Sequence, residues 1–159
     1  MPLGDIPVFG SVTVDPSWRI AVIRSVWHPE CTGPMQENAV EALRKAGIPV
    51  KNIVSIDAPG SFELPVLAKH AIESLKVDGV IVFGVVVQGA THHARLVAEQ
   101  AAAGCMQLQM RTGVPVTFEV LFVDDIKDAV TRSVGKDGKG PLAAATLLSC
   151  LAKVREMRS

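Results

Sequence analysis

Residues 80–87 read Val-Ile-Val-Phe-Gly-Val-Val-Val, an apolar run with no polar break. A strand with one wet face alternates apolar and polar residues. An unbroken β-branched run needs cover on both faces. The run is far shorter than the roughly 20 residues that cross a bilayer, so the cover must come from the chain itself. This segment predicts a central strand of a parallel sheet with helices above and below it.

The flanking sequence supplies that cover. Arg19–Val26 is β-branched and predicts a buried strand. From Gly33 to Ala46 the positions Met35, Ala39, Ala42, Leu43 and Ala46 recur at helical spacing, and Gly47 supplies a stop. Val50–Ile56 predicts a second strand. Ser61–Leu75 predicts a helix carrying Leu64, Leu67, Ala68, Ala71 and Ile72, with Pro65 tolerated in its first turn. After the central strand, Thr91–Met110 predicts a long helix with Val97, Ala101, Cys105 and Leu108 along one stripe. Val114–Val123 is a fourth strand, and Asp124 or Asp125 caps a short helix through Ser133. The turn from Gly135 to Gly140 leads to a last helix striped by Leu147, Leu148, Leu151 and Val154.

Strands alternating with helices, joined by right-handed crossovers, leave few topologies. The expected fold is α/β: an open, flavodoxin-like three-layer α/β/α sandwich with a four-stranded parallel sheet. Residues 18–159 form one domain. Residues 1–17 carry Pro2, Gly4, Pro7, Gly10 and Pro16 around a short alternating stretch. They predict an arm that pairs with a neighbouring subunit or ends as a loose terminus.

Charge excludes some functions. Sixteen basic residues offset sixteen acidic ones and none form a block, so bulk attraction to nucleic acid has no support. No run is long enough for a membrane span, and the first residues lack a basic start followed by an apolar core, so no secretory signal is expected. Cys31, Cys105 and Cys150 are odd in number and far apart. They fit neither a disulfide framework nor a zinc site, and as buried or inert thiols they suit a reducing cytoplasm. No metal site is expected.

In open α/β sheets ligands bind beyond the carboxyl ends of the strands. Four unusual stretches fall there. Trp27 ends the first strand and either stacks on a flat ring or joins the core. Ser61, Phe62 and Glu63 follow a Gly turn after the second. Glu63 either favours the positive end of a helix dipole or accepts hydrogen bonds from a polyol or amine. Gly89, Ala90 and Thr91 follow the third, where Gly89 permits a tight turn and the unpaired helix N–H groups favour an anion. His92 and His93 come next. They are capping or surface residues, or one of them moves protons near neutral pH; helical geometry lets only one face a pocket. His70 reads as solvent-facing. Arg132, Lys136 and Lys139 form a solvated charged stretch or the basic half of a phosphate site.

Together these motifs resemble the lumazine synthase family. The resemblance runs from Trp18 onward. It rests on Trp27, on Ala-Pro-Gly-Ser-Phe-Glu-Leu-Pro (58–65), on Gly-Val-Val-Val-Gln-Gly-Ala-Thr-His-His (84–93), on Thr-Gly-Val-Pro-Val-Thr-Phe (112–118), and on Arg132 and Lys139-Gly140. It implies a riboflavin-pathway transferase with no cofactor or metal. Such enzymes condense 5-amino-6-ribitylaminouracil with 3,4-dihydroxy-2-butanone 4-phosphate to 6,7-dimethyl-8-ribityllumazine, phosphate and water. By resemblance, Trp27 stacks on the pyrimidine, and Ser61, Phe62 and Glu63 hold the ribityl chain and uracil edge. Backbone around Val85, Val86 and Val87 meets the uracil. Gly89, Ala90 and Thr91 bind phosphate with Arg132 of a neighbouring subunit, and His93 transfers protons. Phe118 closes the pocket from across the boundary, with Lys139 near the ligand. Family members are homo-oligomers, pentamers or multiples, with sites between subunits, and the small residues Ala101–Gly104 are compatible with packing around a fivefold axis.

Several positions depart from the pattern. Ala94 and Arg95 replace an aromatic and an acid, Glu119 replaces a small residue, Phe122 and Val123 replace threonines, and Leu142 replaces an acid. Arg95 would favour the neutral form of His93. These changes raise an alternative: a paralogue that binds flavin or lumazine, or builds a shell, without making the product. A different condensing enzyme for a related diketone or amine is a third reading.

Overall fold

A computed structural model describes residues 10–135 and 138–159. Four strands, β1 (Ile20–Ser25), β2 (Ile53–Ala58), β3 (Gly79–Val87) and β4 (Val116–Val123), form one parallel sheet in the order β2-β1-β3-β4. The helices are α1 (Pro29–Lys45), α2 (Leu64–Ser74), α3 (His93–Thr112), α4 (Ile126–Ser133) and α5 (Lys139–Arg158). The expected order and three-layer architecture are observed.

The sheet is buried on both faces. On one, Ile20, Val22, Ile81, Phe83 and Val85 pack with Met35, Ala39 and Leu43 of α1 and Leu147 and Leu151 of α5. On the other, Ala21, Ile23, Val80 and Val82 pack with Leu64, Ala68 and Ala71 of α2 and Cys105 and Leu108 of α3. Successive strand residues thus enter opposite cores, as a period of two requires. Each large side chain buried this way contributes about 1.5–3 kcal/mol. Gln36 reaches from α1 to the sheet, where its Nε2 donates to the carbonyls of Val22 (3.0 Å) and Ile56 (3.4 Å).

Some boundaries differ from the sequence expectation. Helix α1 begins at Pro29, earlier than Gly33, because His28 takes a left-handed conformation (φ 55°) and its carbonyl accepts from Cys31 and Thr32 N–H. Pro34 therefore sits inside the helix. Val50–Asn52 is a short 3-10 turn, and the second strand starts at Ile53. Asp125, of the two candidates, caps α4 by accepting from Lys127 N–H at 2.9 Å. Gly47 (φ 112°) stops α1 as expected.

The arm's first nine residues lie outside the described residues, as does Lys136. Residues 10–17 are irregular rather than a strand, and they lie on this chain's own core through Val12 and Val14. Arg155 fastens them. Its Nη2 donates to the Thr13 carbonyl at 2.7 Å, and its guanidinium lies 5.0 Å from the Trp18 ring centroid. Cys31 and Cys105 are buried, and Cys150 is exposed on α5. Burial pushes the Cys105 thiol up to about 11. Ala101 is buried, and a Cβ on Gly104 would lie 2.8 Å from Pro65 of α2. That part of the small stripe therefore serves packing within the chain.

Candidate active site

A cavity of about 770 Å³ opens at the carboxyl ends of β1, β2 and β3. Its walls come from four places: Trp27 and His28 after β1, Gly60 to Glu63 after β2, Val85 to Val87 at the end of β3, and one face of α3. Parallel strands all end on this side, so the turns that follow them converge there.

Trp27 is 65% exposed and Phe62 59% exposed, although the chain has few aromatics. Burying either ring in the core would have been favourable. Instead both stand at the cavity, so Trp27 does not join the core. Around Gly60 the packing is close: a Cβ there would lie 2.9 Å from Glu63 Oε2 and 3.7 Å from the Trp27 indole. The Glu63 carboxylate and the Trp27 ring edge thus share one corner. Ser61 is buried, and its hydroxyl occupies the space that a Cβ on Gly84 would need. The β3 wall presents Val85, fully covered, and the half-buried Val86 and Val87.

The fourth wall is helical. His93, Ala94, Leu96, Val97 and Gln100 line the cavity at spacings that fall on one face of α3. His93 stands in the first turn, and His92 is the cap residue outside the lining. Before it, Gln88 braces the loop by donating from Nε2 to the carbonyls of Gly89 (2.9 Å) and Thr91 (3.1 Å), and His93 N–H donates to Thr91 Oγ1 at 3.4 Å. Gly89, Ala90 and Thr91 are exposed at this helix start, beside the cavity rather than in its lining. Gly89 does not adopt positive φ and a Cβ there would meet nothing within 4 Å. The expected need for glycine at this turn is therefore absent, because the Gln88 amide holds the loop.

Three predicted residues lie away from the cavity. Phe118 packs against the core on the α2–α3 face of the sheet. Arg132 lies in the last turn of α4, its Nη1 donating to the Asp128 carbonyl at 3.1 Å. Lys139 opens α5 and pairs with Glu119 of β4 at 3.7 Å. Burial pushes the Glu119 carboxyl above its ordinary range, and Lys139 partly opposes that. Arg95 does not act on His93 as an unpaired charge, since it is bonded to Glu99 one turn on at 2.6 Å. His70 is exposed, as expected.

The residues missed by sequence reasoning are His28, Gly60, Ala94, Leu96, Val97 and Gln100. The α3 face could have been found by continuing from His93 at helical spacing. His28 gave no such signal, because its place at the cavity depends on a left-handed backbone.

Aromatic rings, a hydroxyl, a carboxylate and a histidine thus meet over a parallel sheet beside a helix start suited to an anion. This defines a three-layer α/β protein with an open cavity at the carboxyl edge of its parallel sheet. The model of the 6,7-dimethyl-8-ribityllumazine synthase family matches residues 17–155. A Levilactobacillus brevis protein named 6,7-dimethyl-8-ribityllumazine synthase is 36% identical over 140 residues, covering 87% of this chain and 89% of its own. One of the same name from Cytophaga hutchinsonii is 38% identical over 133 residues, covering 83% and 84%. The chain belongs to the 6,7-dimethyl-8-ribityllumazine synthase family.

Proposed function

We propose that the cavity joins 5-amino-6-ribitylaminouracil to 3,4-dihydroxy-2-butanone 4-phosphate, giving 6,7-dimethyl-8-ribityllumazine, phosphate and water. The observation that carries the reading is the pair of exposed rings, Trp27 and Phe62, at a cavity whose helical wall begins with His93. Trp27 stacks on the pyrimidine. Ser61, Phe62 and Glu63 hold the ribityl chain and uracil edge, and the backbone at Val85, Val86 and Val87 meets the uracil. Gly89, Ala90 and Thr91 cradle the phosphate at the positive end of α3.

The amine attacks the ketone and forms an imine, phosphate leaves, and the second nitrogen closes the ring. His93 moves protons at the phosphate end of this sequence. Holding both reactants in one cavity supplies much of the acceleration. The reaction needs no cofactor.

Phe118, Arg132 and Lys139 stand away from this chain's cavity, and we assign them to the cavity of a neighbouring subunit. Exposed apolar residues on the outer side of α3, Met106 and Met110, support association. The assembly is a homo-oligomer, a pentamer or a multiple of one. Three free thiols suit a cytoplasmic protein, and no described helix is long and apolar enough to cross a membrane.

Lumazine fluorescence against an enzyme-free control tests the reading. Enhancement is expected, with His93→Ala slowing turnover about tenfold or more. A wild-type rate equal to the control would overturn it.

A further inference from the structure

The cavity contains a second histidine that the family motifs did not mark. His28 lines it beside Trp27, on a different wall from His93. Its backbone is left-handed, with φ 55° and ψ 59°. Histidine is among the side chains that tolerate this conformation, and here it turns the chain sharply between β1 and α1. The turn aims the residue after Trp27 toward the cavity before α1 begins. A carboxylate stands near the His28 imidazole: Glu30 Oε1, in the first turn of α1, lies 3.5 Å from Nδ1, within ion-pair range. An acid on the Nδ1 side leaves Nε2 for a reacting group.

We infer that His28 is a second proton-transfer residue, acting at the nitrogen end of the reaction while His93 acts at the phosphate end. The inference rests on the function proposed above. Trp27 holds the pyrimidine, so its neighbour His28 meets the edge bearing the attacking amine. His93 belongs to the helix start that receives the phosphate. In the first step the amine nitrogen bonds to the carbonyl carbon and the carbonyl π pair moves to oxygen. His28 Nε2 takes the proton leaving nitrogen and returns it to that oxygen, giving the carbinolamine. Glu30 is a positioning residue for this transfer.

Substitution by Gly or Asn tests this without breaking the fold, because both tolerate positive φ. His28→Gly is expected to lower kcat about tenfold or more, with KM for the phosphate substrate little changed. Added imidazole should restore a large part of that loss by filling the vacated space. His28→Asn should show the loss without rescue. Glu30→Gln should lower kcat with KM held, and Glu30→Asp should recover part of it. Wild-type kcat in both His28 variants would overturn the assignment, as would a loss in His28→Gly that imidazole does not restore. Those results require a wild type that outpaces the enzyme-free control. If it does not, the proposed function itself has failed, and this inference with it.

Discussion

Gly84 lies on the second core face of β3, where any side chain would collide with the Ser61 hydroxyl and press on Val120 and Leu64. Its smallness gives Ser61 its place at the cavity. Gly84→Ala should cost about 1–3 kcal/mol by overpacking and raise KM for the pyrimidine substrate, which melting curves and steady-state kinetics together would detect. Glu119 allows a prediction about pH. Burial raises its carboxyl above the ordinary 4.5. A raised acid contributes stability that is full below the unfolded value and lost as pH rises through the folded one. Glu119→Gln should therefore gain stability relative to wild type as pH rises from about 4 to about 7. Parallel denaturant melts check the sign, and a constant difference would show that Lys139 offsets the burial completely. Exposure separates the three cysteines: alkylation of the native protein should label Cys150 first, with Cys31 and Cys105 reacting only on unfolding.

At the level of elements, what could be read from the sequence was whatever a period carries. Residues 80–87 became the buried central strand because both faces are apolar, and α5 followed from Leu147, Leu148 and Leu151. What escaped was set by single backbone angles or by partners far along the chain. The start of α1 depends on one left-handed residue, His28, which no periodicity marks. Phe118, Arg132 and Lys139 were identified by motif, and one chain alone does not bring them to its cavity. The approach of α5 to α1 was also hidden. A Cβ on Gly140 would lie 2.5 Å from the Met35 carbonyl and 3.1 Å from Ala39 N. Backbone cannot yield as a flexible side chain does, so Gly140→Ala should push the helices apart. A loss of about 1–3 kcal/mol is expected, or roughly 2–4 °C of melting temperature per kcal/mol for a chain of this size. Differential scanning calorimetry would measure it, and an unchanged melting temperature would mean the two helices separate freely.

For the whole molecule, the cavity divides the labour between what one chain supplies and what it does not. One chain provides two exposed rings, Ser61, Glu63 and two histidines, but among the described residues no lysine or arginine lines the cavity. A phosphate substrate calls for such a charge, and Arg132 of a neighbour is the one assigned. Sedimentation should therefore show a species several times the 16.9 kDa of the single chain. Mixing Arg132→Ala chains with His93→Ala chains should restore activity above either alone. A monomer with full activity would remove the neighbour from the mechanism. The hydrogen bond from Arg155 to Thr13 has a consequence for how the chain can be rewired. It brings the last helix and the entry to the first strand within reach of each other, so a short linker could join them. New ends could then be opened in the turn at Gly47, where a Cβ would meet nothing within 4 Å. The sheet order would survive, because it depends on which strands lie side by side and not on where translation starts. Such a permuted protein would carry its free ends at the turn between α1 and β2, leaving the α5 surface clear for other attachments.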